Sequence, residues 1–306
     1  MAIRTFDMMR THVAGRPPVH VAVAGGDEEN VMASVLAALE GGLIASAAVS
    51  GDQDVILASV PVSQRDRIRP LAADNPAACA AAAVAEVRAG RAEILIKGRV
   101  DTTSYLRAVL DHSSGIRGRG VLSNLTLAEM PSVPRLIGAT DNGILPLPTL
   151  DQKRAILLNA APLFRGLGLS QTRVAAIAAT EKVSDRQPAT LDAATLTAES
   201  RAGKFPGMIV DGPFGYDVAI SRAAAETKGF ADSPVAGAAD LILFPNIESA
   251  NATAKAWKFH GEARTGSVIL GAAVPMLLNS RSDEVERRIL GLVMALCMLA
   301  DREGRN

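Results

Sequence analysis

Short runs of aliphatic residues alternate along this chain with longer stretches rich in Ala and Leu. The runs 19–24, 93–96 and 241–244 have the length of buried strands. The stretches 76–88 and 150–167 have the length and composition of helices. Because strands that alternate with helices form βαβ units, the pattern predicts an α/β protein with a mostly parallel sheet.

The remaining elements follow from the same alternation. Residues 54–60 are predicted to be extended. The other predicted strands cover 45–49, 121–127, 135–139, 173–178, 208–210, 268–270 and 275–278, and the other predicted helices cover 27–39, 189–201, 216–227, 250–261 and 283–300. The pattern restarts after the Gly- and Arg-rich segment 115–120. We therefore expect two α/β domains, residues 1–120 plus 275–306 and residues 121–274.

Composition narrows the class of protein. Hydrophobic residues make up 48% of the 306 residues and aromatic residues 3%, so Ala, Val, Leu and Ile are expected to build the core. The 32 Lys and Arg balance the 32 Asp and Glu, and no basic block stands out. A nucleic-acid-binding protein would normally show such a block, so we expect no nucleic-acid partner.

Neither a signal peptide nor a membrane span is predicted. Residues 1–18 lack an apolar centre. The longest apolar run, 289–300, is far shorter than the ~20 residues that cross a bilayer, so it is expected to be a buried helix. Cys79 and Cys297 lie far apart and show no metal or redox spacing, and the histidines show no ligand spacing. We expect a cytoplasmic protein with reduced thiols and no metal.

The first candidate site follows the strand 93–96. Lys97, Gly98 and Arg99 precede Thr102 and, further along, Arg107. Here a strand opens into a Gly-containing loop that enters a helix, whose N-terminal N–H groups favour anions. An anion site and an ordinary helix cap with solvated bases are both compatible with this pattern.

A second candidate site follows the strand 275–278. Arg281 stands at a predicted helix N-terminus, where a cation opposes the helix dipole. Such a placement is expected if an anion also binds there. The structural alternative is that Ser280 and Asp283 form a capping box, because they have its spacing.

Two weaker candidates lie in the second half of the chain. Asp211 precedes Gly212 and Pro213 at a predicted strand-to-helix turn, which Gly-Pro produces whatever the function. Asn251 and Lys255 are four residues apart and are expected to share a helix face. No Gly-x-Gly-x-x-Gly, Walker-type or Gly-x-Ser-x-Gly motif is present.

Taken together and in order, these segments resemble the phosphate acetyl/butyryltransferase family, especially its shorter butyryl-type members. The resemblance covers residues 85–300, and the first 80 residues match only in their βαβ character. The motifs that carry it are 96–100 with Thr102, 122–124, 140–144 with Pro146 and Pro148, 210–213 with Asp217, 219–221, 235–237 with Asp240, Pro245 with Ile247, Asn251 with Lys255, Gly271 with Pro275, and 280–283.

The resemblance implies a two-domain α/β subunit with mostly parallel sheets and an interdomain cleft, related in architecture to the isocitrate and isopropylmalate dehydrogenases and pairing as a homodimer. It implies reversible transfer of a short acyl group, acetyl to butyryl, between coenzyme A and inorganic phosphate, with coenzyme A as substrate and without a metal or a covalent acyl-enzyme. By position, Arg107 and Arg281 would hold the phosphate and Ser280 would lie beside the reacting sulfur and carbonyl. The substrate-binding residues would be Lys97, Gly98, Thr102, Asp141, Asp211, Asn251 and Lys255.

Two positions depart from the family pattern. Acetyl-type enzymes carry an aspartate seven positions after the serine, which is thought to accept the thiol proton, and Arg287 stands there in this chain. Butyryl-type enzymes have their aspartate three positions after the serine, as Asp283 is here. Ala250 replaces the glycine that usually precedes the cleft asparagine. Two other interpretations stay open: an NAD-dependent decarboxylating dehydrogenase, and a non-catalytic paralogue that binds acyl-CoA.

Overall fold

The structure, a computed structural model, describes residues 2–118, 120–279 and 283–303. The strands are β1 (Val19–Ala24), β2 (Ile44–Gly51), β3 (Ile68–Ala72), β4 (Ile94–Lys97), β5 (Ser123–Met130), β6 (Val133–Thr140), β7 (Thr172–Ile177), β8 (Met208–Phe214), β9 (Leu241–Leu243), β10 (Arg264–Leu270) and β11 (Met276–Leu278). The helices are α1 (Phe6–Val13), α2 (Glu29–Glu40), α3 (Gln53–Ser59), a 3-10 helix (Val62–Arg67), α4 (Pro76–Arg88), α5 (Thr102–Leu110), α6 (Leu150–Gly166), α7 (Pro188–Arg201), α8 (Tyr216–Ile220), α9 (Arg222–Thr227), α10 (Ile247–His260) and α11 (Val285–Glu303). Within the described ranges, no helix combines the length and hydropathy that crossing a membrane requires.

Residue contacts divide the chain into two compact units. The 9–120 unit comprises Met9–Gly120 and Gly266–Cys297, and the 121–265 unit comprises Met1–Met8, Val121–Thr265 and Met298–Asn306. The predicted domains, residues 1–120 plus 275–306 and residues 121–274, stay a prediction. The α/β fold with mostly parallel strands is confirmed in both units.

In the 9–120 unit the strand order is β3-β2-β1-β4-β11-β10. Every neighbouring pair is parallel except β10 with β11. β4 is buried along its whole length, as parallel strands are when helices cover both faces of a sheet. Lys97 lies opposite Ala24 of β1 and Leu278 of β11, so the carboxyl ends of these three strands meet at one edge.

In the 121–265 unit the strand order is β5-β6-β9-β7-β8. β5 and β6 form an antiparallel hairpin, and the other neighbours are parallel. Leu243 of β9 lies opposite Thr140 of β6 and Ala176 of β7. The carboxyl ends of β6, β9 and β7 therefore share one edge, and their amino ends share the other.

The prediction that residues 54–60 are extended is wrong, because Gln53–Ser59 form α3. Asp52 caps this helix: its carboxylate accepts hydrogen bonds from the backbone N–H of Asp54 and Val55, at 3.0 and 3.2 Å. Such a cap satisfies donors that the first turn leaves free. This local bonding outweighs the β propensity of Val55 and Ile56.

Several other boundaries differ from the predicted ones, and three of these differences have a clear local reason. β8 continues to Phe214, so Asp211, Gly212 and Pro213 lie inside a strand and not at a turn. The predicted helix 216–227 is two helices, because Ser221 ends α8 and caps α9. α10 begins at Ile247, since Asn246 supplies its N-cap by accepting a hydrogen bond from Ser249 N at 2.9 Å.

Candidate active site

A close backbone contact forms the edge of the 9–120 sheet where β1 and β4 end. Gly98 N donates to Ala24 O at 2.8 Å, and Arg99 N donates to Gly25 O at 2.7 Å. A Cβ at position 98 would overlap the carbonyl oxygen of Gly25. Gly25 itself has φ +79°, which favours glycine. The predicted site residue Gly98 is therefore required by the packing of the two strand ends.

Lys97 and Asn279 both lie at this edge, near the ends of neighbouring strands. Lys97 lies opposite Leu278, and Asn279 is the next residue after Leu278. Lys97 is 6% exposed and Asn279 is 5% exposed, and the Oδ1 atom of Asn279 is buried without a hydrogen-bond partner. This unsatisfied acceptor directly precedes Ser280 and Arg281 in the chain, which are themselves outside the described residues. Asn279 was absent from the predicted site because only the strand register shows its neighbourhood.

Thr102 is exposed in the first turn of α5. Asp101 is the N-cap of this helix, and its carboxylate accepts a hydrogen bond from Ser104 N at 2.8 Å. Hydrogen bonding from Ser104 lowers the pKa of Asp101. The helix cap is therefore confirmed, and Thr102 is exposed beside it. The expectation that the bases of this segment are solvated is wrong for Lys97, which is 6% exposed.

Arg107 lies further along α5, about 7.5 Å beyond Thr102 at the helical rise per residue. Its side chain is exposed and lines a groove of about 280 Å³ between α4 and α5. Ala77 and Ala81 of α4 contribute to the apolar floor of this groove, and Arg88 adds a second cation. The groove therefore combines the guanidinium groups of Arg88 and Arg107 with an apolar floor.

Asp283 forms an ion pair with the residue that departs from the acetyl-type pattern. Its Oδ1 atom lies 3.3 Å from Nη1 of Arg287, and the two side chains are 10% and 22% exposed. Arg288 Nε donates to the backbone carbonyl of Asp283 at 3.2 Å. Burial lowers the pKa of Arg288, while Glu28 and Asp283 raise it. The aspartate and arginine at the third and seventh positions after Ser280 thus form one pair.

Asp141 follows β6 in the 121–265 unit and is 2% exposed. Its Oδ1 atom accepts from the backbone N–H groups of Asn124, Gly143 and Ile144 at 2.9–3.1 Å, and Oδ2 accepts from Leu145 N at 2.9 Å. Burial raises the pKa of Asp141, and these N–H donors work in the opposite direction. The carboxylate holds the 141–145 loop in place; its assignment as a substrate-binding residue stays a prediction.

Asn142 connects this loop to α10. Its amide oxygen accepts from Asn124 Nδ2 and its Nδ2 donates to Thr126 Oγ1, both at 2.8 Å. Asn251 Nδ2 donates to the backbone carbonyl of Asn142 at 3.1 Å, and Lys255 is exposed one turn further along α10. Asp141 and Asn251 are therefore neighbours in one network. Asn142 lies in the 140–144 motif of the family resemblance, but it is not among the predicted site residues.

Ala250, the second departure, is fully buried. It belongs to a cluster that includes Ile137, Ile242 and Trp257. The methyl group of Ala250 is thus accommodated in the core of the 121–265 unit. The neighbouring Asn251 keeps its contact with the 141–145 loop.

Asp211 lies apart from the Asp141–Asn251 network. β9 and β7 separate β8 from β6, which amounts to about 14 Å at the usual strand spacing. Ser233 Oγ donates to Asp211 Oδ2 at 2.6 Å, and Gly212 N donates to Oδ1 at 3.0 Å. The bond from Ser233 holds the loop around that residue against β8. Substrate binding by Asp211 stays a prediction.

Candidate metal ligands are scattered over the described part of the chain. Within residues 2–118, 120–279 and 283–303, no three His, Cys, Asp or Glu side chains lie close enough together to hold a metal ion.

Known proteins resemble this chain along most of its length. A sequence profile described as "Phosphate acetyl/butaryl transferase" matches residues 63–296. A phosphate butyryltransferase from Clostridium acetobutylicum is 32% identical over 305 residues, which cover 98% of this chain and 100% of that protein. A phosphate acetyltransferase from Rhizobium meliloti is 33% identical over 300 residues, 97% of this chain and 94% of that protein.

Solved structures agree with these sequence relationships. A branched-chain phosphotransacylase from Enterococcus faecalis V583 superposes with a TM-score of 0.82 at 26% identity, covering 92% of this chain and 99% of that one. A protein described as a 4-hydroxythreonine-4-phosphate dehydrogenase from Salmonella typhimurium gives a TM-score of 0.54 at 10% identity, over 92% of this chain and 99% of that one. The similarity to this dehydrogenase concerns the fold alone, and it agrees with the predicted dehydrogenase-like architecture.

Proposed function

This chain belongs to the phosphate acetyl/butyryl transferase family, and on that premise we propose how its residues divide the work of the reaction. It is an acyltransferase that moves a short acyl group between coenzyme A and phosphate, so that acyl-CoA and phosphate give acyl phosphate and coenzyme A. The observation that supports the assignment of roles is the strand register, which places Lys97 opposite Leu278, two residues before Ser280 in the chain.

In the forward direction a phosphate oxygen attacks the carbonyl carbon of the thioester. Negative charge develops on the carbonyl oxygen, the C–S bond breaks, and the thiolate leaves and takes up a proton. Arg281 is proposed to bind the phosphate, because a forked guanidinium fits its geometry. The buried ammonium of Lys97 adds positive charge at the same edge, where developing negative charge is stabilised most strongly out of water.

Ser280 is proposed to lie beside the reacting sulfur and carbonyl. In the reverse direction the thiol must lose its proton before it attacks acyl phosphate. A thiol has a reference pKa of ~8.5, so a base needs only to assist. Asp283 is the proposed base, held in position by Arg287. Arg107, exposed in its groove, is the second proposed phosphate contact.

The 121–265 unit is proposed to contribute Asn251 and Lys255 to substrate binding. The 141–145 loop would set the position of Asn251 through Asn142. The proposed acyl range is acetyl to butyryl, since each methylene changes pocket binding by only ~1–3 kcal/mol. A cytoplasmic location and a homodimer are proposed from the family resemblance.

The central test is phosphate-dependent cleavage of short acyl-CoA by the purified protein, followed by thioester absorbance. We expect cleavage of acetyl-, propionyl- or butyryl-CoA only when phosphate is present and without added metal. Hydrolysis that does not need phosphate, or full inhibition by a chelator, would contradict the proposal. No cleavage of any of the three, with acyl-CoA still bound, would favour the non-catalytic paralogue.

Variants of Arg281 extend this test to the phosphate contact. Arg281→Ala should lower turnover by about 10²–10³, the loss typical of one charge-stabilising donor. Arg281→Lys should recover only part of it, because an ammonium cannot make the two-pronged contact. Arg186→Ala, at an exposed loop position, is the matched control and should behave as wild type. Unchanged phosphate dependence in both Arg281 variants would remove that residue from the site.

A further inference from the structure

A cavity in the 121–265 unit lies at the amino ends of β6, β7 and β9. Its volume is about 190 Å³, and it is lined by Arg4, Arg135, Arg173 and Asp240 with Phe164 and Leu167 among its apolar walls. Arg135 is the third residue of β6, whereas Asp141 follows the last one. Six residues of extended chain separate them, about 20 Å. The cavity is therefore distinct from the candidate active-site loop of the same unit.

Positive charge exceeds negative charge around this cavity. Asp240 is 4% exposed, and its Oδ2 atom accepts from both the backbone N and the Nε of Arg173, at 2.9 and 3.1 Å. The Asp240 carboxylate is thus paired with Arg173. With Arg4 and Arg135 included, three cations face one anion, an excess of two positive charges among the lining residues.

Arg135 has a hydrogen-bond donor that the protein leaves unused. Its Nε donates to Ala239 O at 3.0 Å, but its Nη2 is buried and has no hydrogen-bond partner. Burial lowers the pKa of Arg135, and Arg173 and Arg4 lower it too, against the opposing effect of Asp240. A guanidinium stays protonated in proteins, so the cost of this unpaired donor remains in the folded state. An anion in the cavity would supply the missing acceptor.

We propose that this cavity binds a small organic dianion, with its negative charge on the three arginines and a short apolar body against Phe164 and Leu167. The excess of two charges sets the charge of the ligand. The size of the ligand follows from the cavity volume of about 190 Å³. One water molecule needs only ~10–15 Å³ of cavity volume, so the cavity has room for a molecule larger than an inorganic ion. A phosphate monoester and a dicarboxylate share this chemistry.

The test uses succinate as the dicarboxylate, propyl phosphate as the phosphate monoester and butyrate as a monoanion of similar size. Calorimetric titration of the full chain should show one site for at least one dianion, with butyrate binding far more weakly. Arg135→Met keeps the apolar stem of the side chain and removes the donors. It should weaken binding by about 10–100-fold, the effect of losing hydrogen bonds to a charged group.

Two further variants make the result decisive. Arg4→Ala changes an exposed residue, so it should fold normally and still weaken dianion binding. Arg186→Ala controls for the loss of one surface charge and should bind as wild type. The proposal is overturned if neither dianion binds at millimolar concentration, or if Arg135→Met and Arg4→Ala bind like wild type.

Discussion

At the scale of single residues, the pair of Asp283 and Arg287 sets this chain apart from the acetyl-type pattern. An arginine stands where that pattern has its base, and it contacts the aspartate one turn earlier in the chain. The side chain of Asp283 is 10% exposed, so it is largely buried. The predicted capping box does not fit, because it needs Asp283 inside the helix and α11 begins at Val285. Two roles are compatible with this position, a proton acceptor and a structural partner of Arg287, and they differ in what a substitution changes.

Asp283→Asn distinguishes the two roles. If Asp283 is the base, attack of the CoA thiol on acyl phosphate should slow near the low end of the ~10²–10⁴ range typical of general-base help at pH 7. The loss should shrink as pH rises towards the thiol pKa of ~8.5, because solvent then supplies thiolate. The measurement is a pH–rate profile beside a melting curve, with Asp185→Asn at an exposed position as control.

A purely structural Asp283 would give another outcome. Losing the carboxylate that pairs with Arg287 would lower the stability, and the folded enzyme would then keep a parallel, unshifted pH profile. A lower melting temperature with that profile would mean that the base lies elsewhere or that none is needed.

Some of the candidate site residues can be predicted from the sequence and others cannot, for a physical reason. Lys97 and Gly98 were predicted because a strand end, a glycine and a cation are adjacent in the sequence. Asn279 was missed because its importance comes from the register between β4 and β11, two strands far apart in the chain. The four backbone donors to Asp141 were likewise invisible, since they depend on how the loop folds back.

At the scale of elements, the contact of Gly98 with Gly25 fixes how the ends of β1 and β4 pack. Backbone atoms lie on both sides of this contact, so neither partner can move aside as a flexible side chain can. The two strands are also adjacent in the sheet. Any side chain at position 98 must therefore displace the sheet edge that carries Lys97.

Gly98→Ala should lower the free energy of unfolding by about 3 kcal/mol, the upper end of the cost of overpacking. Urea denaturation with an unchanged m value would measure it. Gly41→Ala is the matched control in the same unit: Gly41 is exposed with φ −74°, so its change should stay within about 0.5 kcal/mol. Equal stability of the two variants would contradict the packing described for Gly98.

Helix boundaries are predicted correctly where the start and stop residues in the sequence agree with the hydrophobic pattern. Pro76–Arg88 was predicted to the residue, because Pro stands at its first position and Gly90 follows its end. α3 was missed because one capping side chain, Asp52, decides between helix and extended chain. The break at Ser221 between α8 and α9 has the same origin, a side chain that caps the following helix.

At the scale of the whole molecule, the apolar helix α11 is buried within a single chain. Val293, Met294, Ala295 and Cys297 are 0% exposed. Burial raises the pKa of Cys297 to about 12, consistent with an inert thiol. The helix therefore needs no second subunit to cover it, and the expected homodimer rests on the family resemblance.

The chain should nevertheless run as a dimer or larger in light scattering. Large apolar side chains are left exposed on the monomer, including Leu147 at 75% and Phe259 at 71%, and a subunit contact would remove such surface from water. Light scattering of the Phe259→Ser variant would show whether Phe259 takes part in the subunit contact. Leu158→Ser, at another exposed helical position, is the control. A monodisperse monomer of the unaltered chain at micromolar concentration would contradict the expectation.

Sequence alone predicted mostly parallel strands but not their order. β11 lies beside β4 although well over a hundred residues separate them in the chain, and β9 lies between β6 and β7. Hydrophobic runs show that a strand is buried and do not identify its neighbours. The order follows from long-range packing.

β6 connects two regions that evolution can adjust separately. Its amino end carries Arg135 and its carboxyl end leads into Asp141, with the buried residues Leu136 to Thr140 between them. If the cavity binds a dianion as proposed, substitutions of its arginines would change which ligand it accepts without altering the loop that positions Asn251. The same strand would then allow a lineage to acquire, exchange or lose a ligand while its chemistry is inherited unchanged.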